Sequence, residues 1–331
     1  MSKTILRVED LSVRFRTEEG VFNAVDNISF TLEEQKTLAI VGESGSGKSV
    51  TSLAIMQLLA ENGHISSGEI YVDDENILNM SSSQVQHNIL GKKISMIFQE
   101  PMTALNPILK IGDQITESII EHQGTGKKEA YEIALDTLKQ VGIPSPEQRI
   151  KQFPHELSGG MRQRVMIAMA LVTRPKIMIA DEPTTALDVT IEAQILNLIE
   201  QLKSTFKTSI LFVTHDLNVV ADIADDVIVM YCGQIIERGP VVDIFENPQH
   251  PYTKGLLATM PTLEDHKGEL PTIQGGVPSI TQRPGGCYFH PRCPHRMKKC
   301  ETQSPGVYTV GQQQVKCFLF EGNKEERNDG K

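Results

Sequence analysis

"KTLAIVGESGSGKS", residues 36–49, joins an apolar run of strand type to a glycine-rich turn that ends in lysine and serine. Its last eight positions fit G-x-x-x-x-G-K-[ST], and "VTSLAIMQLLA" from Val50 onward reads as a helix. The motif therefore sits between strand and helix, the setting of a phosphate-binding loop. Gly42, Glu43, Ser44, Gly45, Ser46 and Gly47 form a turn whose successive amides can face phosphate oxygens. The helix that begins around Lys48, Ser49 and Val50 adds the positive end of its dipole to the same anion. Lys48 is expected to reach the β- and γ-phosphates of a nucleotide, and the Ser49 hydroxyl to meet magnesium. A switch GTPase would carry such a loop too, but it also needs an N-K-x-D motif to read its base, and none occurs here.

Working outward, residues 1 to about 240 alternate short β-rich runs with helical periods, the pattern of an α/β domain. Strands are predicted at the start, at "KTLAIV", "GEIYV", "ISMIF", "KIMIAD" and "SILFVTHD", and a hairpin turning near Gly233. From about 100 to 175 the character is helical; Ala130, Ile133, Ala134, Leu138 and Val141 fall on one helix face. "IMIADE", residues 177–182, ends a buried-type strand in two carboxylates. Asp181 is placed to hold magnesium through its water shell and Glu182 to polarise an attacking water; alone, such a pair would also fit a helix cap. A second glycine cluster, Ser158, Gly159 and Gly160, opens another helix more than a hundred residues after the first. One nucleotide hardly needs two anion cradles from one chain, so a site shared between two subunits is the economical reading. Taken by itself, a serine N-cap with a glycine hinge explains the cluster as well.

The composition allows one large domain and a smaller one in 331 residues, with 39% apolar and 22% charged residues. Acidic residues outnumber basic ones by 42 to 32, for a net charge of -10, which speaks against a long nucleic-acid groove. The strand-like start "MSKTILRVEDLSVRF" has no apolar signal region after it, and no apolar run approaches bilayer thickness. A cytosolic chain that does not cross a membrane by itself is expected.

Taken in order, "GESGSGKS", "LSGGM", "IMIADEPTTALD" and "VTHD" resemble the nucleotide-binding subunit of an ABC transporter. "QEPMTALNP", "PHELSGGMRQRVMIAMAL", "NPQHPYTKGLLATMP" and "PGGCYFHPRCPHRMKKC" extend the likeness over nearly the whole chain, to the ATPases of oligopeptide and dipeptide permeases. The resemblance implies an α/β fold: an ABC-type P-loop domain over 1–240 with a helical subdomain, and a small irregular extension over 241–331. It implies ATP with Mg2+ as ligands, Gln99 as a loop glutamine that touches magnesium and couples to the membrane partner, and His215 as the γ-phosphate sensor. A histidine at a strand end is, without that likeness, more often a cap or a surface residue. The segment 186–188 becomes the contact across the subunit interface, and an aromatic ahead of the phosphate loop stacks on adenine; Phe15 is chosen, with Phe22 as competitor. The implied partners are a second homologous ATPase subunit, two transmembrane permease subunits and an extracytoplasmic peptide-binding protein, with no nucleic acid. The implied location is the cytoplasmic face of the cell membrane. Nickel or another small solute stays open as cargo, because this subunit does not touch it. Soluble ABC ATPases of translation or DNA repair normally carry two cassettes or a long coiled coil, and this chain has one cassette and no heptad run.

Four of the five cysteines fall in the proline-rich tail: Cys287, Cys293, Cys300 and Cys317. A reducing cytosol disfavours disulfides. The spacings C-x5-C, C-x6-C and C-x16-C lack the tight C-x2-C knuckle of structural zinc sites, and looser thiolates suit a 4Fe–4S cluster. The family resemblance points the same way. Zinc, with His290 or His295 replacing a thiol, and a metal-free cluster are the alternatives. Such a tail has few apolar residues for a core of its own, so much of its order is expected from the metal.

Overall fold

The structure is a computed structural model that describes residues 3–99, 104–185, 187–260 and 272–322. The chain packs as two compact units built from interleaved segments, one of 1–7, 30–37 and 69–213, the other of 8–29, 38–68 and 214–331.

The first unit has a three-stranded parallel layer. Ile177–Asp181 lies in the middle, with Ile94–Ile97 on one side and Ser209–Val213 on the other. All five residues of both Ile177–Asp181 and Ser209–Val213 are buried, as strands covered on both faces require. The helical region matches the sequence expectation in kind. Ile111–Gln123 and Lys127–Gln140 pack together, and Ala130, Ala134, Leu138 and Val141 are buried, while Ile133 is only half-buried. Gly124 in left-handed conformation ends the first of these helices, leaving a short link to the next. Val189–Phe206 buries Ile195, Leu198, Ile199 and Leu202, and Asp188 caps it by accepting from the Ile191 amide at 2.9 Å.

In the second unit Thr37–Val41 runs parallel to Asp226–Tyr231, which pairs antiparallel with Gln234–Pro240. The expected hairpin is present. Cys232 and Gly233 make its turn with φ of +46° and +81°, as a two-residue turn with both central residues left-handed requires. Gln234–Pro240 continues to Gln313–Val315 and then Tyr308–Val310. The tail therefore completes the sheet that carries the phosphate loop. Its apolar residues are few, but they need no core of their own. Ile244, Tyr252 and Phe289 share one cluster with Ala39, Val41, Val227, Val229 and Tyr231. The sequence reading did not foresee this shared core, which joins residues far apart in the chain, beside the order expected from a metal.

Candidate nucleotide site and cysteine segment

The phosphate loop follows a strand, Thr37–Val41, that is buried throughout, and leads into the helix Lys48–Ile55. Two of its glycines are obligatory. A Cβ on Gly42 (φ +151°) would stand 2.3 Å from the Met230 carbonyl oxygen, and one on Gly47 (φ +103°) 3.0 Å from that of Ala24. Gly45 faces open space. The hairpin turn braces the loop: the Gly233 amide donates to Ser46 O at 2.8 Å. Lys48, almost wholly buried, donates through Nζ to Gly42 O at 2.8 Å and Glu43 O at 3.2 Å. The Ser46 hydroxyl is buried without a hydrogen-bond partner among the described residues. A backbone cradle that a Cβ would fill, a buried ammonium and an orphaned hydroxyl fit an anion of phosphate type.

Two residues of the tail reach this loop. The Glu43 amide donates to the Tyr252 hydroxyl oxygen at 3.0 Å. The Glu43 carboxylate accepts a bidentate pair from Arg292, Nη1 at 2.7 Å and Nη2 at 3.0 Å, and the guanidinium lies over the Tyr231 ring. Burial opposes the charge on Arg292, yet its bonds to Glu43 hold its pKa above the ordinary value. Arg292 is itself steadied by donating to Gln274 O and Ile273 O. Tyr252 sits in a helix start of specific design: His250 accepts the Tyr252 amide through Nδ1 at 3.0 Å, and Pro251 needs no donor in the first turn. Glu237 accepts the amides of Gln249 and His250 beneath it. Burial lowers the His250 pKa to about 3 and raises that of Glu237.

His215 is exposed, at the same end of this unit as the loop: the Thr214 amide donates to Ile40 O at 3.2 Å. Asp216 follows it and caps the helix Leu217–Ile223 by accepting from Asn218 N at 2.8 Å. The Phe15 ring lies against Gly63, where a Cβ would meet it at 2.7 Å, and Phe22 is half-buried near Gly20.

In the other unit Asp181 is buried at the end of its strand, and Glu182 turns out of it with φ +47°, a conformation uncommon for a residue with a side chain. The Glu182 carboxylate accepts from Gln99 Nε2 at 2.9 Å and Thr185 Oγ1 at 3.1 Å, so two of the sequence-predicted site residues meet directly. Ser158 caps the helix Gly159–Leu171 by accepting from Met161 N at 3.4 Å; Gly159 faces open space, and Gly160 lies under Ile191. Gln163 on that helix is 1% exposed and donates to Pro183 O, tying the second glycine cluster to the segment after Glu182. Sequence reasoning missed it, along with Tyr252 and Arg292. For Gln163 the signal was faint, an amide between Arg162 and Arg164 ahead of the apolar stretch Val165–Leu171; for the other two no local signal exists. Ala186, and with it part of the expected interface segment 186–188, lies outside the described residues, as do Met102 and Thr103 of "MTALNP".

The four tail cysteines lie near one another. The Cys287 amide donates to Cys300 O at 2.9 Å, and Cys293 follows the turn His290–Arg292. Burial pushes the thiols of Cys287, Cys293 and Cys317 up, Cys317 to about 11, and neighbouring thiols add to it in each case: Cys300 at Cys287, Cys287 and Cys300 at Cys293, and all three others at Cys317. Among the described residues no three His, Cys, Asp or Glu side chains converge tightly enough to hold one metal ion. Cys232 stands apart, buried in the hairpin turn.

An α/β cassette with a phosphate loop, an acidic strand end and a second, serine-capped helix that opens on two glycines defines an ATP-binding cassette ATPase. Residues 25–185 match the ABC transporter family and residues 236–300 the oligopeptide/dipeptide transporter C-terminal region. The chain is 49% identical to the oligopeptide transport ATP-binding protein AppD of Bacillus subtilis, over 98% of this chain and 99% of that one. It is 47% identical to the dipeptide transport ATP-binding protein DppD of Haemophilus influenzae, over 95% and 94%. Among solved structures, the ATP-binding cassette MJ0796, a dimer in a post-hydrolysis state bound to ADP and Pi, matches at a TM-score of 0.64 and 27% identity, over 71% of this chain and 98% of that one. The chain belongs to the ATP-binding subunits of oligopeptide/dipeptide ABC transporters. No helix among the described residues is long and apolar enough to cross a membrane.

Proposed function

We propose that this ATPase powers import of oligopeptides or dipeptides, paired with a second homologous ATPase subunit beneath two permease subunits at the cytoplasmic face of the membrane. An extracytoplasmic peptide-binding protein would deliver the cargo. The observation that carries this reading is that the likeness runs through the C-terminal region as well as the cassette. Lys48 and the amides of 44–49 would bind the phosphates of ATP; Ser49, Gln99 and Asp181 would hold Mg2+, which neutralises phosphate charge when bound. Glu182 would polarise water, His215 sense the γ-phosphate, Phe15 stack on adenine, and Ser158, Gly159 and Gly160 serve the partner subunit's nucleotide. The test is reconstitution with the partner subunits in vesicles. Hydrolysis stimulated by peptide and its binding protein, with uptake of labelled peptide, is expected; ATPase activity that responds to nickel and not to peptide would overturn the assignment.

Cys287, Cys293, Cys300 and Cys317 would hold a 4Fe–4S cluster. Their donor set supports this: Cys287, Cys293 and Cys300 lie near enough to bear on the Cys317 thiol, and the Cys287 amide donates to Cys300 O. A single zinc needs each thiolate within about 2.3 Å, whereas a cluster offers each a separate iron. The cluster, when bound, would cross-link 287–300 to 317. Anaerobic purification should yield four irons and four sulfides per chain, lost in Cys293→Ser; stoichiometric zinc without sulfide would refute it.

A further inference from the structure

Lys48 poses a problem for the loop it serves. Its ammonium donates to the carbonyls of Gly42 and Glu43, so a phosphate in the cradle competes for the same small set of N–H donors that supports the turn. Any N–H group that turns to a phosphate takes its support away from these carbonyls. The second of these residues, Glu43, is also gripped by the tail. Tyr252 takes the Glu43 amide, and Arg292 takes the Glu43 carboxylate with both arms of its fork, partners 209 and 249 residues away in sequence. The Arg292 side chain is only 5% exposed and that of Glu43 29%, so the pair is partly desolvated and its geometry is fixed by planar bidentate contact. Tyr252 is wholly buried in an aromatic cluster with Tyr231 and Phe289, and cannot follow the loop if it moves.

We propose that the C-terminal region is a clamp on the phosphate loop: Arg292 and Tyr252 hold Glu43 so that residues 42–47 keep their ATP-accepting shape when a phosphate draws on the Lys48 ammonium. Arg292 and Tyr252 are positioning residues; neither need touch nucleotide. The Glu43 side chain, at a variable position of the motif, ties the loop to the tail. The sequence "HPYTKGLL" gains a physical purpose: His250 and Pro251 shape the helix start that delivers the Tyr252 hydroxyl to the loop. The clamp rests on the reading that this loop binds ATP, and the test separates the two.

Mg-ATP affinity is measured on the full-length chain by calorimetry, for the unmodified protein and for Glu43→Gln, Arg292→Gln and the double variant. Each single change should weaken binding about 10-fold, and the double change should be no worse than the single ones, because both remove one interaction. A charge-swapped pair, Glu43→Arg with Arg292→Glu, should recover part of the loss. In the assembled transporter KM for ATP should rise while kcat at saturation stays near its original value, a split that general loss of folded protein would not give. Glu43→Gln leaves the cysteine segment untouched, so it reports on the clamp even if Arg292→Gln folds poorly. Unchanged affinity in Glu43→Gln, or additive losses in the double variant, would overturn the clamp; failure of the unmodified chain to bind Mg-ATP would instead overturn the nucleotide reading beneath it.

Discussion

Two regions of the molecule each present a glutamate next to a nucleotide motif, and they treat it differently. In the phosphate loop Glu43 is locked by a bidentate guanidinium and its charge is taken up by structure. At the strand end after Asp181, Glu182 is held by an amide and a hydroxyl, Gln99 and Thr185, on a backbone turned into the left-handed region. Hydrogen bonds from such neutral donors orient a carboxylate without cancelling its charge, which is what a group acting on water needs. A motif predicts that a carboxylate is present; the tasks proposed for these two, holding the loop and acting on water, differ with the partners the fold gives them.

The sharpest way to break this comparison is to make the two glutamates behave alike. Glu182→Gln should keep ATP binding and cut hydrolysis in the assembled transporter by about 1000-fold, since a positioned general base contributes on that order. Glu43→Gln should do the reverse, altering affinity and sparing saturated turnover. Single-turnover phosphate release and equilibrium nucleotide binding, measured side by side, check both. Equal hydrolysis by Glu182→Gln and the unmodified complex would remove the role given to Glu182.

Next in size is the tail's share of the core. Tyr252→Ala removes a fully buried ring from the cluster around Tyr231 and Phe289, and about 3 kcal/mol of stability should go with it. Tyr252→Phe keeps the ring and loses only the bond to the Glu43 amide, so its cost should be about 1 kcal/mol. Chemical denaturation of the full chain followed by far-UV circular dichroism distinguishes them. A tail that unfolds on its own, with the cassette unchanged, would mean that the two do not share a core.

What could be read from the sequence was what lies close together along it. The strand, glycine turn and helix of 36–55 were legible because their signals are adjacent and each residue type has one physical reason to be there. Asp181 and Glu182 were legible because an apolar strand that stops at two acids is unusual. Arg292 on Glu43, Tyr252 on the loop amide and the tail strands completing the sheet were not, because nothing near Arg292 or Tyr252 announces a partner two hundred residues earlier. The tail looked short of apolar residues because its burial is supplied by strands elsewhere.

Acid should probe the same joint. His250 is 1% exposed with its Nδ1 accepting the Tyr252 amide, and its pKa in the fold is about 3 against 6.5 for a free imidazole. A depressed histidine pKa means that the unfolded chain binds the proton first. The stabilising contribution is whole above pH 6.5 and is lost as pH falls toward 3. At pH 5 the loss from this one group should be about 2 kcal/mol. Glu237 works in the other direction: burial raises its pKa, so protonation as pH falls relieves part of the cost of its buried charge. His250→Asn offers a carbonyl oxygen to the same amide and cannot titrate, so its stability should fall less between pH 7 and 5. Parallel acid limbs for the two proteins would show that His250 is not the group responsible.

The smallest effect expected tests the neutral-donor argument most directly. Gln99→Ala deletes one hydrogen bond to Glu182 and should slow hydrolysis about 5-fold, the worth of about 1 kcal/mol. Gln99→Glu should be worse although it is closer in shape. Two carboxylates at hydrogen-bond distance cannot both stay ionised, so the new acid would raise the pKa of Glu182 and leave it protonated over part of the working range. A protonated Glu182 cannot take a proton from water. The acid limb of the pH–rate profile in Gln99→Glu should therefore move to higher pH, and activity should recover as pH rises. In Gln99→Ala the limb should stay where it is and only the plateau should drop. If both variants lowered the plateau equally with no shift of the limb, the contact between Gln99 and Glu182 would have no bearing on how Glu182 carries its charge.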